Sequence, residues 1–243
     1  MTIHVGALLD RFPGPKYVKS LHFAELSFRE PLPRPATLAR YRREAPESLR
    51  IALVAPKSCV VAKEGPLRLE SLGPRLQWLN DAADALGAIA VVVPTGSDVT
   101  TGQRDRARLE AYFGALRKVA GRSLVWSPAG LWEDEEAARM AAKLGAVLAV
   151  DPLEHDVPRG PIAYARIRTL GVRSRLSTGL LMEAAEALDA SGAGTAYVSV
   201  ASATSFRDAR SLATLVAGAA VERESGEDED DSFDDDESFD DEE

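Results

Sequence analysis

The sequence predicts an α/β protein: a (β/α)8 barrel of the TIM type with one or two crossover helices replaced by loops, plus a disordered acidic C-terminal tail. Three observations carry this. Short apolar runs alternate with helix-period segments through most of the 243 residues, the pattern that gives parallel strands joined by crossover helices. Eight such runs are legible, and eight strands closed on themselves over about 200–250 residues is the usual size of such a barrel. An open doubly wound sheet would normally carry a glycine-rich phosphate turn after its first strand, and VGALLDRFPG is not one.

The elements follow in order. Residues 3–7 form a first apolar strand and residues 21–27 (LHFAELS) a second, bounded by the proline-rich EPLPRP, which resists regular structure. Thr37 is placed to cap a helix that Pro46 stops. Residues 49–55 are the third strand. Leu72, Leu76, Leu79, Ala83 and Leu86 share one face of a helix that Gly87 ends. Residues 88–93 are apolar throughout, as in a strand covered on both faces. A helix over 103–119, a strand over 123–126 and a helix over 133–144, ended by Gly145, continue the alternation. Residues 146–150 form the sixth strand and 162–168 the seventh; LEHDVPRGP between them reads as a loop. A helix over 178–191, a strand over 195–200 and a helix over 205–221 complete the body.

Composition supports one large domain over 1–221. The single cysteine, Cys59, argues against a disulfide framework and a cysteine-based zinc site. No run approaches the ~20 apolar residues of a membrane span, and MTIHVGALLD lacks the features of a signal peptide. A cytoplasmic protein with no membrane contact is expected. The formal charge of −9 is unevenly spread. Residues 222–243 hold 15 of the 38 acidic residues and one of the 29 basic ones, leaving 28 basic and 23 acidic residues in 1–221. The tail cannot bury apolar surface and repels itself, so disorder is expected. It repeats a pattern, DSFDDDE and ESFDDEE, that sets Phe233 and Phe239 among carboxylates. It reads either as a solubilising terminus or as a polyanion for an unidentified basic partner, with the two phenylalanines as anchors; that surface can also be the body's own. While present, the tail opposes nucleic-acid binding.

Sites in such barrels form where the strands end. The strands deliver Glu25, then Lys57 after Pro56, then Asp151, and Tyr164, Arg166 and Arg168 on one face by period-two alternation. Two readings stand. In one, these charges form structural ion pairs that close the top of the barrel. In the other, Lys57, Arg166 and Arg168 hold an anionic small molecule, a phosphate or carboxylate, while Glu25 or Asp151 supplies acid–base chemistry. No nucleophile–base pair is evident. His4, His22 and His155 share no ligand spacing, so no metal and no cofactor is assigned. Thr95-Gly96-Ser97 and Ser202–Ser205 read as turns, and Cys59 as a buried thiol.

The order of VG, AELSF, a strand ending in APK, LGP, DP after a strand and then YxRxR resembles the domain of unknown function family 72. The resemblance spans roughly residues 3–215 and rests on order and spacing. It implies a (β/α)8 barrel and a pocket at the strand ends. On it, Glu25, Lys57, Leu72-Gly73-Pro74, Trp132, Asp151, Tyr164 and Arg166 match family positions. Ser27 stands where the family has asparagine, residues near Trp126-Ser127-Pro128-Ala129 replace its Glu-Phe-Arg-His, and Arg168-Thr169 its His-Gly. Val200-Ala201-Ser202 replaces its Phe-Asn-Asn. The resemblance therefore implies a divergent member, and transfers no reaction.

Three functions are compatible with these readings: a non-catalytic barrel that binds or scaffolds through its acidic tail, an enzyme acting on a phosphorylated or carboxylated small molecule at the barrel mouth, and a nucleic-acid-associated protein autoinhibited by its tail.

Overall fold

The computed structural model of the chain describes residues 1–169 and 176–226. Phe233 and Phe239, with the rest of 227–243, lie outside the described residues.

Ten strands and eight helices follow one another in the order β1 (Thr2–Leu9), α1 (Pro15–Val18), β2 (Phe23–Leu26), α2 (Pro35–Glu44), β3 (Arg50–Val54), α3 (Lys57–Val60), the hairpin β4 (Val61–Ala62) and β5 (Gly65–Pro66), α4 (Leu69–Leu86), β6 (Ala90–Pro94), α5 (Gln103–Ala115), β7 (Ser123–Ser127), α6 (Asp134–Leu144), β8 (Val147–Val150), β9 (Ile162–Arg168), α7 (Thr178–Ala190), β10 (Thr195–Ala201) and α8 (Ser205–Gly226). Eight strands close a parallel barrel in the order β1-β10-β9-β8-β7-β6-β3-β2. Two crossovers lack a full helix, as the sequence predicts: β1 reaches β2 through the single turn of α1, and β8 reaches β9 through a loop.

Burial divides by strand parity, as a closed sheet requires. Phe23, Val54, Val92, Val125, Tyr164 and Tyr197 fill the lumen, with Ala52, Ala90 and Ala149 making room for the three rings. The opposite faces, including Leu26, Leu53, Val93 and Trp126, pack against the helices. Each apolar strand is thus covered on both sides, which is why those strands read as continuous apolar runs.

Local corrections have local causes. Helix α2 begins at Pro35 with Arg34 as its N-cap, not at Thr37, because proline fits the first helical position and lacks only an N–H that would be unpaired there. Helix α5 stops at Ala115: Leu116 turns into extended backbone to bury its side chain, and Asn80 accepts the Arg117 N–H at 2.9 Å. Gly87 and Gly145 end α4 and α6 in the left-handed conformation. Ser177 caps α7 by accepting the Leu180 N–H at 3.3 Å. Helix α8 runs to Gly226, five residues past its expected end at 221. Among the described residues no helix is long and apolar enough to cross a membrane.

Candidate functional site

Parity also builds the site. Glu25 lies two residues beyond Phe23, Ser127 two beyond Val125, Arg166 two beyond Tyr164 and Ser199 two beyond Tyr197. All four therefore enter the lumen one layer above the aromatic plug, and all four are buried. Lateral register aligns Ser199 with Arg166 on the neighbouring strand.

Glu25 is completely buried. The Tyr164 hydroxyl donates to its Oε1 at 2.9 Å and the Ser199 hydroxyl to its Oε2 at 2.7 Å. Arg166 approaches along its Nε edge: Nε is 3.0 Å from Oε1, and Nη2 donates to Oε2 at 3.1 Å. Both carboxylate oxygens are thus occupied by donors, and the charge is neutralised by a guanidinium. Burial, and then the adjacent Glu25 charge, push the Tyr164 phenol well above its usual range, so it remains a hydrogen-bond donor.

Ser127 extends the network. Its Oγ accepts from Nη1 of Arg166 at 3.1 Å and from Nη2 of Arg168 at 3.2 Å. Arg168 is only half-buried; desolvation first, and the Arg166 charge second, lower its basicity. Asp151 accepts the backbone N–H groups of Leu153 and Arg168, each at 3.1 Å, which ties the loop after β8 to the end of β9. Above this layer Ser127, Arg166, Arg168 and Asp151 share a cavity of about 140 Å³ with Trp132, Glu154 and His155. The Trp132 indole donates to the Val99 carbonyl at 3.0 Å and meets Trp126 edge-to-face at 4.8 Å, fixing that wall.

Of the five residues expected at the mouth, four converge and one does not. Glu25 and Arg166 pair directly, Arg168 joins them through Ser127, and Asp151 holds the Arg168 backbone. Lys57 is exposed at the start of α3 and lines a separate cavity with Ser27, Glu30 and Thr95. Lys57 therefore lines a different cavity from Arg166 and Arg168, and the three cations do not share one pocket. His155 pairs with Asp134 at 2.9 Å, and both line the same cavity as Ser127 and the two arginines. Among the described residues no three His, Cys, Asp or Glu side chains form a metal-binding group. Ser127 and Ser199, which complete the network, were not among the sequence candidates; their positions at strand ends were the available signal.

Neither a protein-family model nor a curated protein matches the sequence. Solved structures do. A DUF72 family protein from Enterococcus faecalis superposes with a TM-score of 0.68 at 11% identity, over 89% of this chain and 96% of its own. A DUF72 family protein from Thermotoga maritima gives 0.64 at 14% identity, over 89% of this chain and 100% of its own. An L-ribulose 3-epimerase gives 0.61 at 13% identity, over 96% and 100%. At these identities the superpositions show a shared architecture, and the structures that share it include proteins of the family that the motif order suggested. The chain has the barrel fold of the DUF72 family proteins.

Proposed function

We propose that this barrel is a binding protein, not a catalyst, and that it holds a small oxyanion, a carboxylate or phosphate, in the Ser127–Arg168 cavity. The observation that carries this is the double use of Ser127. With two guanidinium N–H groups aimed at its oxygen, its own proton has no acceptor among the described residues. A hydroxyl in that position is a polarised donor on a cavity wall, beside the half-buried cation Arg168. A ligand that supplies an anionic oxygen satisfies both.

The same network argues against acid–base chemistry by Glu25. A general base needs an oxygen within reach of a substrate proton. Both Glu25 oxygens are engaged by Tyr164, Ser199 and Arg166 in a fully buried layer. Glu25 instead orients Arg166, which with Arg168 orients Ser127.

A thermal-shift series with inorganic phosphate, sulfate, acetate and succinate tests the reading. Wild type and Lys57→Ala gain stability with at least one of these anions, and Arg168→Ala gains none. Equal stabilisation of wild type and Arg168→Ala, or loss of the effect in Lys57→Ala, would place the anion elsewhere.

A further inference from the structure

The acidic tail has a counterpart on the body that owes nothing to the mouth of the barrel. Helix α8 has 22 residues, about 33 Å at helical rise. It starts just after β10 and packs along β1, whose eight residues span only about 26 Å. Its end therefore leaves the barrel at the face where the strands begin, opposite the candidate site. The 17 residues that follow, 227–243, hold 13 carboxylates and no basic group.

That face carries basic side chains where β1, β2 and β3 start. His4, His22 and Arg50 stand side by side: Arg50 donates its backbone N–H to the His22 carbonyl at 2.7 Å, and the ring of His4 stacks on Tyr197 at 5.2 Å. Burial lowers the basicity of His4, and the charges of Arg50 and His22 lower it further. Lys19 is exposed in the turn before β2, and Lys118 is exposed on the same rim. Several carboxylates of this end are already engaged, Asp84 by Arg122 at 2.8 Å and Glu110 by Lys143 at 2.6 Å, while Glu47 stands exposed.

We propose that residues 227–243 fold back as a polyanion onto the N-terminal face of their own barrel, covering His4, His22, Arg50 and Lys19. Exposed ion pairs are individually weak, but the tether raises the tail's local concentration to about the millimolar range. At ~3.3 Å per residue, the tail reaches across that face within its first repeat. The docked tail would also screen the basic face from other polyanions, nucleic acid included.

Zero-length carbodiimide cross-linking of the full chain tests this, with cross-linked peptides mapped by mass spectrometry. In the monomer fraction at low salt, carboxylates of 227–243 should join Lys19 and Lys118. These products should disappear at about 1 M salt, where the Debye length is about 3 Å. Cross-links only between copies, cross-links to Lys57 or Lys63 at the mouth in preference, or none to the tail, would overturn the proposal. A second measurement uses a full-length variant whose tail carboxylates are all amides, which leaves the barrel unchanged. The NMR titration midpoint of His4, which stacks on Tyr197 at that face, should fall in that variant, and an unchanged midpoint would contradict docking.

Discussion

Arg166 meets Glu25 along its guanidinium edge, with Nε 3.0 Å from Oε1 and Nη2 3.1 Å from Oε2. The two residues lie 141 positions apart in sequence, and their pairing closes the top of the barrel lumen. Such a pair contributes little over a well-packed apolar replacement, but removing one partner leaves a buried charge uncompensated. Glu25→Gln should therefore cost about 3–5 kcal/mol of unfolding free energy. Adding Arg166→Met to it should recover part of that loss. Denaturant unfolding of the two single variants and the double variant gives the coupling; additive losses would mean the pair does not act as a unit.

The seam between β1 and β2 depends on a side chain. The Tyr17 hydroxyl accepts the Ala7 N–H at 2.8 Å and donates to the Phe23 carbonyl at 2.6 Å. A β-carbon on Gly6 would stand 2.1 Å from the same Phe23 oxygen. Tyr17→Phe strands both buried backbone groups and should cost about 1–3 kcal/mol. Gly6→Ala should cost at least as much, since backbone must move. Thermal denaturation of each variant measures this, and unchanged melting would contradict the bridge.

Alkaline pH should destabilise the fold through its buried phenols. Burial raises the ionisation of Tyr17, Tyr112 and Tyr164 well above the ordinary tyrosine range. A raised folded value means these groups stabilise the native state fully below the unfolded value of about 10, and that this is lost as pH rises beyond it. Melting temperature should fall steeply above about pH 10, and the fall should be smaller in Tyr17→Phe when each protein is measured against its own value at neutral pH. The same slope in both proteins would exclude a contribution from Tyr17.

Asp84 acts at the other end of the pH scale. The hydrogen bond from Arg122 lowers its ionisation below the usual carboxylate range, with Arg117 adding to it. A depressed folded value gives stability that is present above the unfolded value and lost as pH falls through the folded one. Asp84→Asn should therefore be less sensitive to acid than wild type between about pH 4 and pH 2. Parallel acid profiles would show that the ion pair carries no linkage.

Cys59 is buried, its thiol pushed up to about 11, chiefly by burial, and its sulfur lies 3.4 Å from the Arg75 carbonyl. It should resist alkylation in the native state and react on denaturation. Labelling within minutes at neutral pH without unfolding would contradict this placement.

The barrel was legible because its signals are local. Strand runs such as 88–93 are apolar along their whole length, and Gly87 and Gly145 mark helix ends directly. The loop between Asp151 and Ile162 was legible because its prolines and charges fit no helix. Tyr164, Arg166 and Arg168 were placed on one face by alternation alone, and the structure keeps them there. What could not be read is register across the lumen. Ser127 and Ser199 matter because they stand at the height of Arg166 and Glu25, and a lone serine in a sequence carries no record of height. Lys57 follows a strand too, but it stands exposed at the start of α3 and lines a different cavity from the two arginines, a separation that sequence spacing does not record. The first strand-to-strand turn, α1, is too short for periodicity to reveal, although its Tyr17 ties β1 to β2.

The most direct test of the binding reading is a calorimetric titration of wild type and Ser127→Ala with inorganic phosphate and with succinate. Ser127→Ala keeps every charge at the mouth and removes only the hydroxyl that the two arginines polarise. Loss of that hydroxyl should weaken binding by roughly tenfold or more, as for a hydrogen bond to a charged group of about 1.5–3 kcal/mol. Equal affinity in the two proteins, or no binding of either anion to wild type, would contradict an anion site built on Ser127 and Arg168.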